Sequence, residues 1–157
     1  MPKHVKLLFV CHGNICRSPM AEFVMKELLR REGMDWVDVE SAALHTDEIG
    51  NDTHYGTRRK LRSEGIPFSP RRAWLLTRDR AGDYDMIIGM DAENMRDLRR
   101  LLPDDRDGKI RSLLSFAGRD GEAIADPWYT GNFDETYSDV MAGCTGLVAF
   151  LCASQRL

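Results

Sequence analysis

Residues 5–20 read VKLLFVCHGNICRSPM, an apolar run that reaches a cysteine and continues into a short polar loop. The run over residues 5–10 predicts a strand that is buried on both faces. Pro19 is favoured in the first turn of a helix, and the apolar residues that follow it recur at helical spacing until Gly33. The stretch therefore predicts a strand, a tight loop and a helix, with Cys11 in the loop.

The same alternation continues along the chain. It predicts further strands at residues 37–42, 85–90 and 110–114, and helices at 55–64, at 92–102 and from about 132 onward. Glu135, three residues after Asn132, is a possible capping partner for the last helix. We therefore expect an α/β fold, in which one domain over residues 1–157 holds a four-stranded parallel sheet with helices on both faces.

Composition excludes several classes of protein. The chain has 157 residues, of which 43% are hydrophobic, and this is enough to bury one core. A net charge of -3 argues against a nucleic-acid binder. The apolar run near the N-terminus is too short for a signal peptide or a membrane span, and no other stretch comes closer. These features predict a cytoplasmic protein, a monomer or weak dimer, that binds neither nucleic acid nor membranes.

The loop after the first strand is suited to binding an anion. Gly13 can adopt backbone angles closed to other residues, and Asn14 tolerates the left-handed region, so the loop can curl with its N–H groups pointing inward. The N-terminus of the next helix adds positive potential. The planar guanidinium of Arg17 fits two oxygens of one phosphoryl group. The loop is therefore predicted to bind a tetrahedral dianion.

A thiol in such a loop has a definite chemistry. A helix N-terminus and a nearby cation favour the thiolate of Cys11, and a thiolate beneath a bound phosphoryl group is a nucleophile aimed at phosphorus. The leaving oxygen then needs a proton donor. Asp126, in IADPWYTGN, is the best candidate, although an Asp-Pro pair alone usually marks a turn.

Other candidate residues follow from the predicted topology and from the cysteine and histidine counts. Ser41 closes the second strand and Asp91 follows the third, so both should lie with Cys11 at the carboxyl edge of the sheet. The four cysteines show no disulfide or zinc spacing, and they are expected to be reduced. The four histidines show no spacing that pairs with a second ligand, so no metal or cofactor is expected. His12 is expected to face solvent, where its charge could tune the pH profile.

Five segments resemble the low-molecular-weight protein tyrosine phosphatases, in the order and at the spacing of that family. They are FVCHGNICRSPMAE at 9–22, SAA at 41–43, DEIGN at 47–51, MD at 90–91 and DPWYTGN at 126–132. The resemblance extends over nearly the whole chain. It implies the same four-stranded parallel sheet, with a phosphate-binding loop after the first strand.

The resemblance also implies a role for each matching residue. Cys11 would attack phosphorus, Arg17 would bind the phosphoryl oxygens, and Asp126 would protonate the leaving phenolate and later act as a base. The substrates would be phosphotyrosine-containing proteins or small aryl phosphates. The residues expected to contact phosphate or substrate are His12, Gly13, Asn14, Ile15, Cys16, Ser18, Asp47, Trp128 and Tyr129.

Supporting roles are implied in the same way. Ser18 would hydrogen-bond the cysteine sulfur, and Asn14 and Ser41 would form a pair that holds the loop in its strained shape. Asp91 would be a buried structural carboxylate, although an ordinary helix cap before residues 92–102 would call for the same aspartate. Cys16 matches the family's second loop cysteine, and a disulfide with Cys11 would protect the nucleophile from irreversible oxidation.

One position departs from the family's pattern. Many members carry an aromatic residue where this chain has Asp47, which leaves Trp128, with Tyr129 behind it, as the aromatic wall of the pocket. Asp47 and Glu48 beside the mouth would repel an acidic peptide. We therefore expect weaker ground-state binding of substrate than in typical relatives.

Three alternatives remain at this point. Arsenate reductases with a similar loop use additional relay cysteines, and this chain has none between Cys16 and Cys144. A related branch, which resembles this family, acts on phosphoarginine. It carries threonine at the position held here by Ile15. A binding module or redox sensor without turnover would be expected to lack part of the catalytic set, which is complete here.

Overall fold

A computed structural model describes residues 3–155 of the chain. The predicted domain of residues 1–157 also includes residues 1, 2, 156 and 157, which lie outside the described residues. The strands are β1 (Val5–Cys11), β2 (Val37–Ala43), β3 (Met86–Gly89) and β4 (Ile110–Ser112). The helices are α1 (Arg17–Arg31), α2 (Tyr55–Ser63), α3 (Arg78–Ala81), α4 (Ala92–Leu101), α5 (Pro127–Thr130) and α6 (Phe133–Ser154), with a 3₁₀ helix at Leu113–Ala117.

The four strands form one parallel sheet in the order β2-β1-β3-β4, which confirms the predicted fold. Successive side chains of β1 point to opposite faces, as strand geometry requires. Leu7 and Phe9 pack into the cluster formed with α1 and α6, whereas Leu8 and Val10 pack into the cluster that contains Leu98 of α4. Helices therefore cover both faces, and β1 is buried on each.

Helix α1 begins at Arg17, so Pro19 lies in its first turn as predicted, where the N–H groups need no intrahelical acceptor and proline is tolerated. The predicted end of the fourth strand is wrong. Strand β4 ends at Ser112, where its register with β3 reaches Gly89, the last residue of that strand. The next residues have no strand to pair with and form the 3₁₀ helix instead.

Helix α6 corrects an expectation from the sequence. With 22 residues and a mean hydropathy of 1.3 over its most apolar window, it is long and apolar enough to cross a membrane by length and composition. Its buried residues, which include Val140, Cys144 and Leu147, join the core cluster shared with α1 and β1. This packing accounts for its apolar composition as that of a core helix. Asn132 caps the helix by accepting from the N–H of Glu135 at 3.0 Å, as predicted.

The carboxyl edge of the sheet gathers the residues that the topology predicted there. Cys11 is the last residue of β1, Ser41 lies near the end of β2, and Asp91 caps α4 just beyond β3. The loop after β2 is fixed to the loop after β1, since the N–H of His45 donates to the carbonyl of His12 at 3.0 Å. The chain thus builds a site from segments far apart in sequence.

Candidate active site

The loop from His12 to Cys16 joins β1 to α1, and Asn14 holds its curve. Asn14 has a φ of 61° and is fully buried. The left-handed region is open to asparagine at a modest cost. Gly13 was expected to adopt unusual angles as well, but its φ is not positive. A Cβ at Gly13 would lie 3.2 Å from Cγ of Glu48, so a larger residue there would require the Glu48 side chain to shift by a few tenths of an ångström.

The loop presents backbone donors at the N-terminus of α1. Among the hydrogen bonds of residues 3–155, none uses the N–H groups of residues 13–17 as donors. Consecutive amide groups of this kind, combined with a helix N-terminus, are a ready site for a phosphoryl anion.

Asn14 and Ser41 are paired as the resemblance implied. The amide nitrogen Nδ2 of Asn14 lies 3.0 Å from Oγ of Ser41 and 2.8 Å from Oγ of Ser18. Ser41 in turn donates to the carboxylate of Glu22. All of these groups are buried. These four residues support the loop from behind, and none of them lines the cavity described below.

Arg71 completes this support and was missed by sequence reasoning. Its Nη1 donates to the carbonyl oxygen of Asn14 at 3.0 Å, and its Nη2 donates to Oδ1 of Asn14 at 2.6 Å and to the carbonyl of Ser41 at 3.2 Å. Its Nε lies 3.6 Å from a carboxylate oxygen of Glu22. Arg71 therefore joins the loop of residues 12–16 to β2 and α1.

The sulfur of Cys11 has a hydroxyl group beside it. The Sγ of Cys11 lies 3.0 Å from Oγ of Ser18, and both side chains are buried. Ser18 Oγ also accepts from Asn14 Nδ2, so its own proton is free to point at the sulfur. The hydroxyl of Ser18 is therefore placed to donate a hydrogen bond to the sulfur of Cys11.

Arg17 is held in place by three acceptors and is almost completely buried, with 3% of its side chain exposed. Its Nη1 donates to Oδ2 of Asp91 at 2.6 Å and to the carbonyl of Ile124 at 3.0 Å, and its Nη2 is 3.5 Å from Oδ2 of Asp126. Burial opposes its charge, but Cys11 and the two aspartates outweigh that effect and raise the pKa of Arg17.

Asp91 makes contacts that correspond to both of the roles weighed for it, but its side chain is 23% exposed and lines the cavity, whereas a buried carboxylate was expected. One carboxylate oxygen caps α4 by accepting from the N–H of Asn94 at 2.8 Å, and the other accepts from Arg17. The carboxylate therefore fixes the guanidinium relative to the end of β3.

Asp126, Trp128 and Tyr129 are positioned by the short helix α5. Asp126 caps this helix, with Oδ1 accepting from the N–H of Trp128 at 3.1 Å. The indole of Trp128 is half exposed and meets the ring of His54 edge-on, with centroids 5.7 Å apart. Tyr129 is the more exposed of the two, at 84%. His54 is thus a support for the aromatic wall that the sequence did not indicate.

These side chains surround one cavity of about 430 Å³. The predicted site residues that line it are Cys11, His12, Gly13, Ile15, Cys16, Arg17, Asp47, Asp91, Asp126, Trp128 and Tyr129, together with Glu48 and Glu93. Asn14, Ser18 and Ser41 lie outside it. A thiol, a guanidinium and a carboxylate therefore open into one cavity of a size suited to a small ligand.

The rim of the cavity differs from what the sequence predicted. His12 was expected to face solvent, but its side chain is only 36% exposed. Its Nε2 is 2.6 Å from Oδ2 of Asp47, its Nδ1 is 3.2 Å from Oε1 of Glu93, and its ring stacks on that of His45 at 4.1 Å. Burial disfavours the charged imidazole, yet the hydrogen bonds to Asp47 and Glu93 outweigh burial and raise the pKa of His12.

Cys11 and Arg17 lie on one strand–loop–helix unit, and Asp126 lies 3.5 Å from Arg17 on the same cavity. The family model for low molecular weight phosphotyrosine protein phosphatase matches residues 6–156. The chain therefore belongs to this family and is an enzyme of the protein-tyrosine-phosphatase class.

Individual relatives agree with this assignment. The chain is 38% identical over 155 residues to the low molecular weight protein-tyrosine-phosphatase YfkJ of Bacillus subtilis, covering 98% of this chain and 99% of that protein. The crystal structure of YfkJ superposes with a TM-score of 0.92 at 37% identity, covering 98% of each chain. A phosphatase structure from Streptococcus pyogenes gives 0.82 at 38% identity, covering 94% of this chain and 93% of that one.

A more distant relative bears on the substrate. The crystal structure of a Drosophila arginine phosphatase superposes with a TM-score of 0.85 at 27% identity, covering 93% of this chain and 97% of that one. The fold therefore occurs with more than one named substrate class, and the choice between them depends on the residues of the cavity.

Proposed function

We propose that the protein hydrolyses phosphotyrosine in two steps, through a phosphocysteine at Cys11. The observation that carries the proposal is the placement of Cys11, Arg17 and Asp126 on one cavity, with Ser18 Oγ 3.0 Å from the sulfur. The amide groups of residues 13–17 would hold the phosphoryl oxygens, together with the guanidinium of Arg17.

In the first step, the thiolate of Cys11 forms a bond to phosphorus while the bond from phosphorus to the phenolic oxygen breaks. Asp126, in its protonated form, gives its proton to the departing phenolate. The carboxylate of Asp126 faces the guanidinium of Arg17 at 3.5 Å, so donor and phosphoryl-binding group lie on the same side of the cavity.

In the second step, water attacks the phosphocysteine and the sulfur leaves as a thiolate. Asp126 now takes the proton of that water, which returns it to its starting state. Ser18 serves both steps, because a hydrogen bond from its hydroxyl to the sulfur stabilises the thiolate both as nucleophile and as leaving group.

Two residues that line the cavity support phosphotyrosine as the substrate. The half-exposed ring of Trp128 borders the opening and can pack against an aromatic leaving group. Ile15 also lines the cavity. The related phosphoarginine branch carries threonine at this position, so isoleucine supports phosphotyrosine as the substrate.

The test measures steady-state phosphate release from a phosphotyrosine peptide in the presence of a metal chelator, for the wild type and for Cys11→Ser. We expect turnover that survives chelation and is lost in the variant. A phosphoarginine peptide is assayed in parallel, and a higher kcat/KM on that peptide would overturn the tyrosine assignment. No turnover on either peptide by folded, reduced wild type would overturn the proposed mechanism.

A further inference from the structure

A second group of chemically active side chains lies beside the cysteine loop, and three of its five members line the same cavity. It consists of the imidazoles of His12 and His45 and the carboxylates of Asp47, Glu93 and Asp97, and we call it the rim cluster. The two-step mechanism above uses none of these five side chains.

The two histidines are brought together by the backbone. The N–H of His45 donates to the carbonyl of His12 at 3.0 Å, which fixes the loop after β2 against the loop after β1. The rings are stacked, with centroids 4.1 Å apart and an angle of 15° between their planes. Their proximity is therefore a consequence of the fold.

Helix α4 supplies two of the carboxylates from one face. Glu93 and Asp97 are four residues apart and so lie one turn from each other. Oε1 of Glu93 is 3.2 Å from Nδ1 of His12 and 3.9 Å from Nε2 of His45, and Oδ2 of Asp97 is 2.8 Å from the same Nε2. One carboxylate oxygen is thus shared by both imidazoles.

The charge balance of the rim cluster favours a cation. Three carboxylates face two imidazoles, so the cluster remains negative even when both rings are protonated. Imidazole and carboxylate together are donors that suit zinc and similar divalent transition ions better than magnesium or calcium, which prefer oxygen ligands alone.

We propose that the rim cluster is a binding site for a divalent transition-metal ion of the zinc class, with His12, His45 and Glu93 as ligands. One donor atom of each lies within 4.8 Å of the others. Asp47 accepts from Nε2 of His12 at 2.6 Å, which leaves Nδ1 for the ion and supplies the carboxylate partner that metal-bound histidines usually have.

Binding requires only a local adjustment. Donors that share one tetrahedral zinc lie roughly 3.3 Å apart, so the widest pair must close by about 1.5 Å. The stacked rings must also tilt apart to aim their lone pairs at one point, and rotation about the second side-chain torsion of histidine is a soft motion. The backbone of all three elements can stay in place.

The test measures zinc binding by competition with a chromophoric chelator, in Cys11→Ser protein so that the catalytic thiol cannot hold the ion. We expect one zinc per chain and at least a tenfold loss of affinity in the double variant Cys11→Ser/His45→Gln. His4→Gln in the same background is the matched control, because His4 is likewise paired with a carboxylate, that of Asp38, but lies outside the rim cluster. It should bind zinc as tightly as Cys11→Ser.

Cobalt(II) gives a second readout that does not depend on the affinity. Its visible spectrum in the Cys11→Ser protein should be that of nitrogen and oxygen ligands, without a thiolate charge-transfer band, and His45→Gln should abolish it. Thermal melting without metal checks that each variant is folded. Affinity should also be weaker at pH 5.5 than at pH 7.5, because protons compete for both imidazoles.

The proposal is overturned if folded Cys11→Ser protein binds no zinc up to sub-millimolar concentration, or if His45→Gln binds it as tightly as the control. A thiolate band in the cobalt spectrum would likewise place the ion elsewhere. No substrate enters these measurements, so their failure would leave the proposed phosphatase mechanism untouched.

Discussion

The guanidinium of Arg71 is hydrogen-bonded to both the backbone and the side chain of Asn14, at 3.0 Å from the carbonyl oxygen and 2.6 Å from Oδ1. Asn14 is the residue with left-handed backbone angles at the centre of the loop from His12 to Cys16. Such a conformation costs on the order of 1 kcal/mol and persists where the surroundings fix it. Arg71 is therefore part of what holds the loop ready for an anion.

Replacing Arg71 with methionine should lower both stability and turnover. The change leaves Asn14 without two donors and removes the more distant of two cations beside the buried carboxylate of Glu22, whose nearer partner is Lys26 at 2.6 Å, and we expect a loss of about 2 kcal/mol in the free energy of unfolding. Turnover should fall at least tenfold at a temperature where the variant is folded. Chemical denaturation and steady-state kinetics measure the two effects.

Arg72→Met is the matched control, because the neighbouring arginine is exposed. It should change neither quantity appreciably. If Arg71→Met keeps wild-type kcat, the loop does not depend on this arginine for its active shape.

Neither Arg71 nor the rim cluster could be found from sequence, and the reason is separation along the chain. Arg71 is 57 residues from Asn14, and Glu93 is 81 residues from His12. No local pattern encodes such contacts, which depend on how β2 and α4 pack against β1. Cys11 and Arg17 were found because one short loop carries both.

The fold was predictable for a related reason. Strands and long helices are indicated by local periodicity, and alternation of the two implies a parallel sheet. The ends of elements that depend on a neighbouring element were not predictable, since β4 stops where β3 offers no further partner. The four-residue helices α3 and α5 were also missed, because they are too short to show a period.

Asp126→Ala should slow the enzyme in proportion to how poor the leaving group is. General acid catalysis contributes about 10²- to 10⁴-fold, and it matters most when the leaving oxygen is basic. A plot of log kcat/KM against the pKa of the leaving phenol should therefore be steeper for the variant than for the wild type. Asp120→Asn, an exposed carboxylate, is the control. Parallel plots for Asp126→Ala and the wild type would remove Asp126 from the role of proton donor.

Asp47→Tyr should strengthen substrate binding. An aromatic ring at this position would face an aryl phosphate across from Trp128, and an aromatic pair contributes about 0.5–1.5 kcal/mol, or about 2- to 10-fold in KM. Asp47→Asn removes the charge without adding a ring, and so separates electrostatic repulsion from stacking. Unchanged Michaelis constants for aromatic phosphates in Asp47→Tyr would show that Asp47 does not weaken binding.

Glu27 on α1 should contribute stability that depends on pH. Its carboxylate accepts from Arg30 at 2.7 and 2.8 Å and from Arg31 at 2.9 Å, and these bonds lower its pKa from 4.5 to about 2. A lowered pKa in the folded state stabilises the protein above pH 4.5, and the contribution is lost as the pH falls toward 2.

Glu27→Gln should therefore unfold at lower denaturant than the wild type at pH 6, with the difference shrinking from pH 4.5 downward. Urea titrations at pH 6, 4 and 3 measure it. Glu32→Gln, beside the C-terminus of α1 and exposed, should show little difference at any of these pH values. If the difference in stability between Glu27→Gln and the wild type is the same at all three pH values, the ion pairs of Glu27 are not the source of that difference.

Cys11 and Cys16 should form a reversible disulfide under mild oxidation. Both thiols are buried and line the same cavity. Burial, together with Cys11 and Asp126, raises the pKa of Cys16 to about 12, so Cys16 stays protonated and Cys11 is the thiol that peroxide oxidises first. Peroxide converts Cys11 to a sulfenic acid, and Cys16 then displaces water from it as the S–S bond forms.

Peptide mass spectrometry of peroxide-treated protein should show a Cys11–Cys16 crosslink, and added thiol should restore activity. In Cys16→Ser, the same treatment should drive Cys11 to the sulfinic acid, with activity lost permanently. Cys152→Ser is the control, because Cys152 is remote on α6 and its loss should leave recovery unchanged. If wild type and Cys16→Ser recover to the same extent, Cys16 does not protect the nucleophile.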